Sequence, residues 1–325
     1  HIMRAEVPGP TVGKLLSKTA ATARILYFLY TFITLAEAFI LYLGNIPLFD
    51  SVTLALSTAG TGGFAIKNAS IAAYNSLYIE IVLALFMVIF GINFNLFYLV
   101  LVRQVKRALK SEELWVFLSI IAISTVTIAF NILPSVKTFA SALRQAGFTV
   151  TSIISTTGFI TADFDLWPTF SKCILVALMF VGGMAGSTGG GLKVARVIIL
   201  FKSGLREIRR AIHPGTVKCI KLDGAVIDKE TVSTANSYFA LYMIIIAIST
   251  ILVSFNNFDF TSTVTAVITC INNIGPGLNA LGPTNNFSAL SDFSKIILAA
   301  DMLIGRLEIF PMIILFSPAA WKKNS

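Results

Sequence analysis

Ser155-Thr156-Thr157-Gly158-Phe159 closes a short apolar segment, Phe139 to Ser155, after which the chain re-enters a long apolar stretch. The same order recurs at Ser57-Thr58-Ala59-Gly60-Thr61-Gly62-Gly63-Phe64 and at Asn272-Asn273-Ile274-Gly275-Pro276-Gly277-Leu278. The segments leading into those two turns are Leu48 to Ser57 and Phe260 to Asn272. All three are too short to cross a bilayer, which takes about 20 apolar residues in a helix. Non-helical backbone at membrane depth is tolerated only where protein buries it or water lines it. A short helix that ends in a glycine-bearing turn aims backbone carbonyls at a dehydrated cation. One such turn reads as an ordinary capping loop; three in register read as a pore.

Around the turns lie stretches long enough to span: Ala21 to Leu43, Leu77 to Val102, Leu114 to Leu133, an interrupted Cys173 to Phe201, Tyr238 to Phe255 and Ile296 to Phe316. The chain of 325 residues is 56% hydrophobic and 13% charged, with mean hydropathy +0.82. That composition belongs to a membrane protein. The fold class expected is all-α, built from repeated units of span, re-entrant pore helix, filter turn and span around a pseudo-fourfold axis. Gly63, Gly158 and Gly275 mark the units, 95 and 117 residues apart. The longer interval holds a polar insert, where Val217 to Leu222, Asp223-Gly224 and Ala225 to Ile227 read as a small hairpin.

The formal charge of +9 is placed like a topology signal and not like a nucleic-acid surface. Lys and Arg gather at Arg103 to Lys110 and from Lys193 to Lys221, whereas the turn-bearing segments are poor in cations. By the positive-inside rule the basic loops are cytoplasmic and the turns open outward. Cys173, Cys219 and Cys270 show no metal spacing, and His1 and His213 are too few and too scattered for a metal site. No nucleophile–base pair stands out, so no enzyme chemistry and no bound cofactor are expected; the substrate is the ion.

Carbonyl ligands need a turn that can adopt positive φ, which glycine allows. The candidate filter residues are Gly60, Thr61, Gly62 and Gly63; Thr156, Thr157 and Gly158; and Asn273, Ile274, Gly275, Pro276 and Gly277. Gly60, Gly62 and Gly63 loosen the first turn, and Pro276 stiffens the last. Each short helix points its negative C-terminal end at the pore axis. A second candidate site is the interruption at Gly182, Gly183, Gly186, Ser187, Thr188, Gly189, Gly190 and Gly191. Glycine at this density cannot stay helical cheaply, and broken helices mark ion sites in transporters. A phosphate-cradling loop is excluded, because Lys193 follows Leu192 and precedes Val194. A close-packing kink remains the passive alternative. Third is Arg306, a charge inside the apolar helix Ile296 to Phe316. Asp301 and Glu308 are at spacings that do not put them beside it, so its partner is expected on another element. Pro311 should kink that helix just after the charge.

Taken together, the turns, Gly182 through Lys193, Gly91-Ile92-Asn93-Phe94-Asn95 and Gly305-Arg306-Leu307-Glu308-Ile309-Phe310 resemble the TrkH family. These are the membrane subunits of bacterial Trk potassium uptake systems, within the Trk/Ktr/HKT superfamily. The resemblance runs from about Glu6 to Leu315 and implies the last three of four pore units. On it, residues 1–20 are an inter-unit linker, 21–110 the second unit and 111–212 the third, with its interrupted last helix. Residues 213–232 are a cytoplasmic linker and 233–325 the fourth unit. The chain is then expected to be the C-terminal part of a longer protein. The resemblance implies a homodimer in the bacterial inner membrane, and a cytoplasmic nucleotide-binding regulatory subunit of the TrkA type. It also implies that the glycine-rich loop obstructs the pore jointly with Arg306. The basic stretch Lys193 to Lys221 is either that subunit's docking surface or a solvated, topology-setting loop. The expected function is potassium uptake through a gated, channel-like filter. Two alternatives stay open: symport with protons or sodium, using Glu37 or Glu80, and a non-conducting scaffold.

Overall fold

Every long apolar stretch becomes largely helical, in one piece or two, in the computed structural model, which describes residues 19–214 and 219–315. Helix α1 covers Thr19–Leu43 and α2 Leu48–Ala59; α3 and α4 cover Leu77–Gly91 and Phe94–Leu101. Next come α5, Glu112–Val136, α6, Phe139–Ile154, α7, Thr169–Val181, and α8, Val194–Ile212. The remainder are α9, Lys229–Val253, α10, Phe260–Ile271, α11, Asp292–Leu307, and α12, Ile309–Leu315. Three of them are long and apolar enough to cross a bilayer alone: α1 from Ala23, α5, and α9 continued to Asn256. The expected linker, residues 1–20, falls almost wholly outside the described residues.

The short helices α2, α6 and α10 each pack on the span before them, α1, α5 and α9. Each also packs on the helix that follows, α3, α7 and α11, so one packing relation is repeated three times. Their buried faces carry small and hydroxylated residues, such as Ser51, Thr58, Ser152, Ser262 and Thr269, beside Leu54, Val150 and Val267. Small side chains let a helix sit deep among others, where no water satisfies its ends. Gly305 of α11 is one such contact, since a Cβ there would lie 1.7 Å from the Ile271 carbonyl oxygen.

Two expectations need correction. Leu77 to Val102 is not one straight helix: α3 and α4 meet at 91° across Ile92-Asn93. The cause is local. Asn93 N-caps α4, its Oδ1 accepting from Asn95 N at 2.9 Å, while the Phe90 and Gly91 carbonyls leave the helical ladder to accept bonds from the glycine-rich loop. In the last span, the break falls at Glu308, φ +68, three residues before Pro311. A proline ring clashes with the carbonyl four residues back, here that of Leu307, so the helix must end before the proline is reached. Arg306 therefore stands in the last turn of α11 and not in a helix interior.

The polar insert does form a hairpin, but a shorter one: Lys221–Leu222 pairs with Ala225–Val226 across Asp223-Gly224, and Val217 lies outside the described residues. It joins the basic end of the molecule. Asp223 accepts from Glu112 N at 2.6 Å, and Lys202 Nζ donates to the Lys221 carbonyl at 2.8 Å while pairing with Glu112.

Candidate functional site

The three turns are one structure built three times. Helices α2, α6 and α10 end in the αR caps Gly60, Ser155 and Asn272. The next residues, Thr61, Thr156 and Asn273, all adopt left-handed backbone, at φ +49, +60 and +56. Two positions on, Gly63, Gly158 and Gly275 do so again, at φ +66, +82 and +113. The N–H of Gly62 reaches back to Ser57 O at 2.8 Å, Thr157 N to Ser152 O at 3.0 Å and Ile274 N to Thr269 O at 2.9 Å. This is the six-to-one bond of a Schellman cap. The αL position of that cap usually holds glycine or asparagine; two of the three here hold threonine, a strained choice for a β-branched residue.

Glycine is required two residues later, by close approach as much as by φ. A Cβ on Gly63 would lie 1.9 Å from the Thr157 carbonyl oxygen, and one on Gly158 would lie 1.8 Å from that of Ile274. Turn one thus stands against turn two, and turn two against turn three, while Gly275 faces open space. Gly60 and Gly62 were expected to loosen the first turn, yet neither takes positive φ; Gly60 is an ordinary helix cap.

The decisive feature is what the carbonyls lack. Among the described residues, no hydrogen bond is accepted by the carbonyls of residues 61–63, 156–158 or 273–275. Thr61, Thr156, Thr157, Gly158 and Ile274 are buried, and buried carbonyls are nearly always paired. Here a converging set is left with lone pairs free, at the C-terminal, negative ends of three helices.

Beneath the turns lies the loop from Gly182 to Lys193, which touches all three. Thr61 Oγ1 donates to the Thr188 carbonyl at 3.0 Å, and Gly190 N donates to Thr156 Oγ1 at 2.6 Å. Gly190 also lies so close to turn three that a Cβ would sit 2.5 Å from the Asn272 carbonyl oxygen. The loop is held from behind by Met184 N to Gly91 O at 2.9 Å and Phe94 N to Gly186 O at 3.1 Å. Its two ends are clipped by one buried carboxylate: Glu113 Oε1 accepts from Ala185 N at 2.7 Å and Ala195 N at 3.0 Å. Glu113→Ala would strand both donors at about 1–3 kcal/mol each. The expected result is a shorter half-life of the purified protein on warming; an unchanged half-life would deny the clip any structural weight.

Two cations bond to the loop. Arg306 Nη1 donates to the Thr188 carbonyl at 2.9 Å and reaches Thr61 Oγ1 at 3.4 Å, and its Nη2 reaches the Gly60 carbonyl at 3.4 Å. Lys193, held at φ +73 and buried, donates to the Gly189 carbonyl. Both tethered charges sit at a cavity of about 610 Å³ below the loop, lined also by Ser187, Gly305 and Glu308. Arg306 thus finds its partners on other elements, as expected, but they are carbonyls and a hydroxyl.

Sequence reading missed Lys193, Glu113 and the buried pair of Arg196 and Glu308, bonded at 2.7 and 3.3 Å with the guanidinium 3.9 Å from the Tyr238 ring centroid. Lys193, at the end of the quoted glycine-rich run, and Glu308, in the quoted run after Arg306, lay near marked positions. Of the two carboxylates weighed for ion coupling, Glu80 pairs with Arg144 at 3.4 Å, whereas Glu37 is fully buried. Among the described residues no group of His, Cys, Asp and Glu has metal-site geometry.

Known proteins are similar to this chain in sequence and in fold. The family described as TrkH, cation transport protein, matches residues 2–323. The Trk system potassium uptake protein TrkH of Salmonella typhimurium is 36% identical over 330 residues, 99% of this chain and 67% of that protein. Its namesake in Escherichia coli K12 is 35% identical at the same coverage. The crystal structure of the potassium transporter TrkH from Vibrio parahaemolyticus superposes with a TM-score of 0.88 at 32% identity, covering 96% of this chain and 67% of that one. The chain thus spans about two thirds of the length of these relatives.

Proposed function

The chain belongs to the TrkH family of cation transport proteins, and from that premise we propose that it forms the greater part of a gated potassium pathway. It is a membrane protein, not an enzyme. The observation that carries the reading is the set of unbonded carbonyls on three adjoining turns. Stripping water from potassium is offset by oxygen dipoles at close range, and these turns hold such dipoles ready. Potassium is substrate here, bound by backbone alone, and no cofactor is invoked. Residues 21–110, 111–212 and 233–325 are the three pore units, and the open space at Gly275 is where the ring would receive another.

The loop from Gly182 to Gly191, with Arg306, is the gate. Its closed state has two tethered cations, Arg306 and Lys193, on the loop's carbonyls just below the filter, where a passing ion would need them. A fixed positive charge in a pore is an electrostatic barrier to cations. Opening requires the loop to leave its bonds to Thr61 and Thr156. The relatives' description as Trk system proteins supports a partner-regulated assembly in the bacterial inner membrane. A homodimer served by a cytoplasmic subunit of the TrkA type fits the basic end of the molecule around α8 and the hairpin.

The test is the reversal potential of the native assembly in liposomes, under opposed potassium and sodium gradients at two pH values. The reading expects a potential set by potassium and unmoved by pH. A potential that follows pH or sodium would replace the passive conduit with coupled transport, and absence of current would leave a scaffold.

A further inference from the structure

Glu308 and Lys193 occupy backbone that suits glycine. Glu308, between α11 and α12, sits at φ +68, ψ +144, and Lys193, just before α8, at φ +73, ψ +133. Both lie close to a region that only glycine enters freely, and a residue with a side chain stays there only where its surroundings over-determine it.

What holds Glu308 is its carboxylate. Arg196, in the first turn of α8, lays its guanidinium across both oxygens: Nη2 donates to Oε2 at 2.7 Å and Nη1 to Oε1 at 3.3 Å. These side chains are 10% and 12% exposed, whereas every other salt bridge among the described residues has a partner at 26% or more. The guanidinium also lies 3.9 Å from the centroid of the Tyr238 ring, on α9. That same buried ring meets Phe310, two residues past Glu308, edge-on, with centroids 5.8 Å apart. Helices α8 and α12 both pack on α9, so the pair closes a three-way junction.

Its place in the chain gives the junction a consequence. Glu308 is two residues from Arg306, whose fork bonds the Thr188 carbonyl and reaches that of Gly60. Arg196 is three residues from Lys193, which bonds the Gly189 carbonyl. The pair therefore ties together the two segments that carry the loop's two cations. Among the described residues Glu308 is also the one acid lining the cavity that Lys193 and Arg306 line. A buried ion pair adds little net stability, because desolvation offsets attraction, but parting it leaves an uncompensated charge. Such a contact fixes one geometry more than it strengthens the fold.

We infer that the Arg196–Glu308 pair is the clasp of the closed gate: it holds the strained bend at Glu308 against the start of α8, and so seats Arg306 and Lys193 on the loop. Both are positioning residues; neither side chain bonds the loop, and they act through the two cations beside them. When α8 shifts from α12 the pair parts, Glu308 is free to leave its glycine-like backbone, and Arg306 loses its seat. The inference rests on the reading of the loop with Arg306 as gate.

The test is basal rubidium flux through the native membrane subunit in liposomes, per inserted protein, with no regulatory protein added. Glu308→Gln keeps the shape and loses the charge, and flux should rise about tenfold, the equivalent of one hydrogen bond to a charged group. Arg196→Lys keeps the charge but cannot engage both oxygens with a planar fork, and should fall between Glu308→Gln and the parent. Arg196→Met combined with Glu308→Gln leaves no buried charge unpaired, so it should assemble even if a single variant does not. It should leak as much as Glu308→Gln. Adding Arg306→Gln to Glu308→Gln should raise flux no further than the leakier of the two alone, since both release the same contact. The leak should keep the parent's preference for potassium over sodium, which general damage to the fold would not. Flux at the parent's level in the neutral pair overturns the inference, as does a leak that passes sodium equally, or one that multiplies with Arg306→Gln. Arg306→Gln by itself separates the two levels. If it leaks while the clasp variants do not, only the clasp is wrong; if it does not leak either, the loop is not the gate.

Discussion

Replacing Gly158 by alanine should abolish selective potassium uptake while leaving the protein in the membrane. Two penalties coincide at this residue. Its φ of +82 is left-handed, which costs a non-glycine residue about 1–3 kcal/mol. Its new methyl group would lie 1.8 Å from the Ile274 carbonyl oxygen, inside any allowed contact. The oxygen that must move is one of the unbonded set, so relief of the clash and loss of the proposed ion site are the same displacement. We expect rubidium uptake to fall by about a hundredfold or more, the rate equivalent of about 3 kcal/mol. Gly60→Ala, at φ −79 with its nearest outside atom 3.3 Å away, is the matched control and should stay within about twofold of the parent. Equal uptake by the two variants would remove turn two from the filter.

The second large effect is on leak. Arg306→Gln removes the charge that fastens the Thr188 carbonyl to turn one. Hydrogen bonds to charged groups are worth about 1.5–3 kcal/mol, so the closed state should lose about ten- to a hundredfold of its advantage. Basal potassium flux into liposomes, with no regulatory protein added, is the quantity to measure, and it should rise by about that factor. Arg306→Lys should fall between, because a lysine cannot span the Thr188 and Gly60 carbonyls with a planar fork. Well-assembled Arg306→Gln protein with unchanged basal flux would make the arginine structural.

The repeated units were legible because their signals are local. Ten to seventeen apolar residues ending in a glycine turn announce a re-entrant helix wherever they occur, and Leu48–Ala59, Phe139–Ile154 and Phe260–Ile271 form within two residues of the expected ends. The break at Ile92-Asn93 was not read, although Asn93 is an N-cap residue type in a long apolar run. Its cause is the loop from Gly182 to Lys193, about a hundred residues away, which takes the carbonyls that would have continued α3. The break at Glu308 falls just after Arg306, where a kink from Pro311 was expected, because a proline ends a helix through the carbonyl four residues behind it.

What the sequence determined by itself was the solvent and most of the secondary structure: hydropathy and helix length act residue by residue or turn by turn. It also marked Arg306 and the glycine-rich loop as expensive features for a membrane interior. Only the tertiary structure decided which glycines are indispensable, since Gly63 and Gly158 differ from Gly60 and Gly62 by the carbonyl of a neighbouring unit. It likewise assigned Arg306 to carbonyls, Glu113 to both ends of the loop and Arg196 to Glu308. The physical reason is one of range: a helix is specified by neighbours within a turn or two. A pore is specified by oxygens that are left without partners, and that is known only once every other element has taken its own.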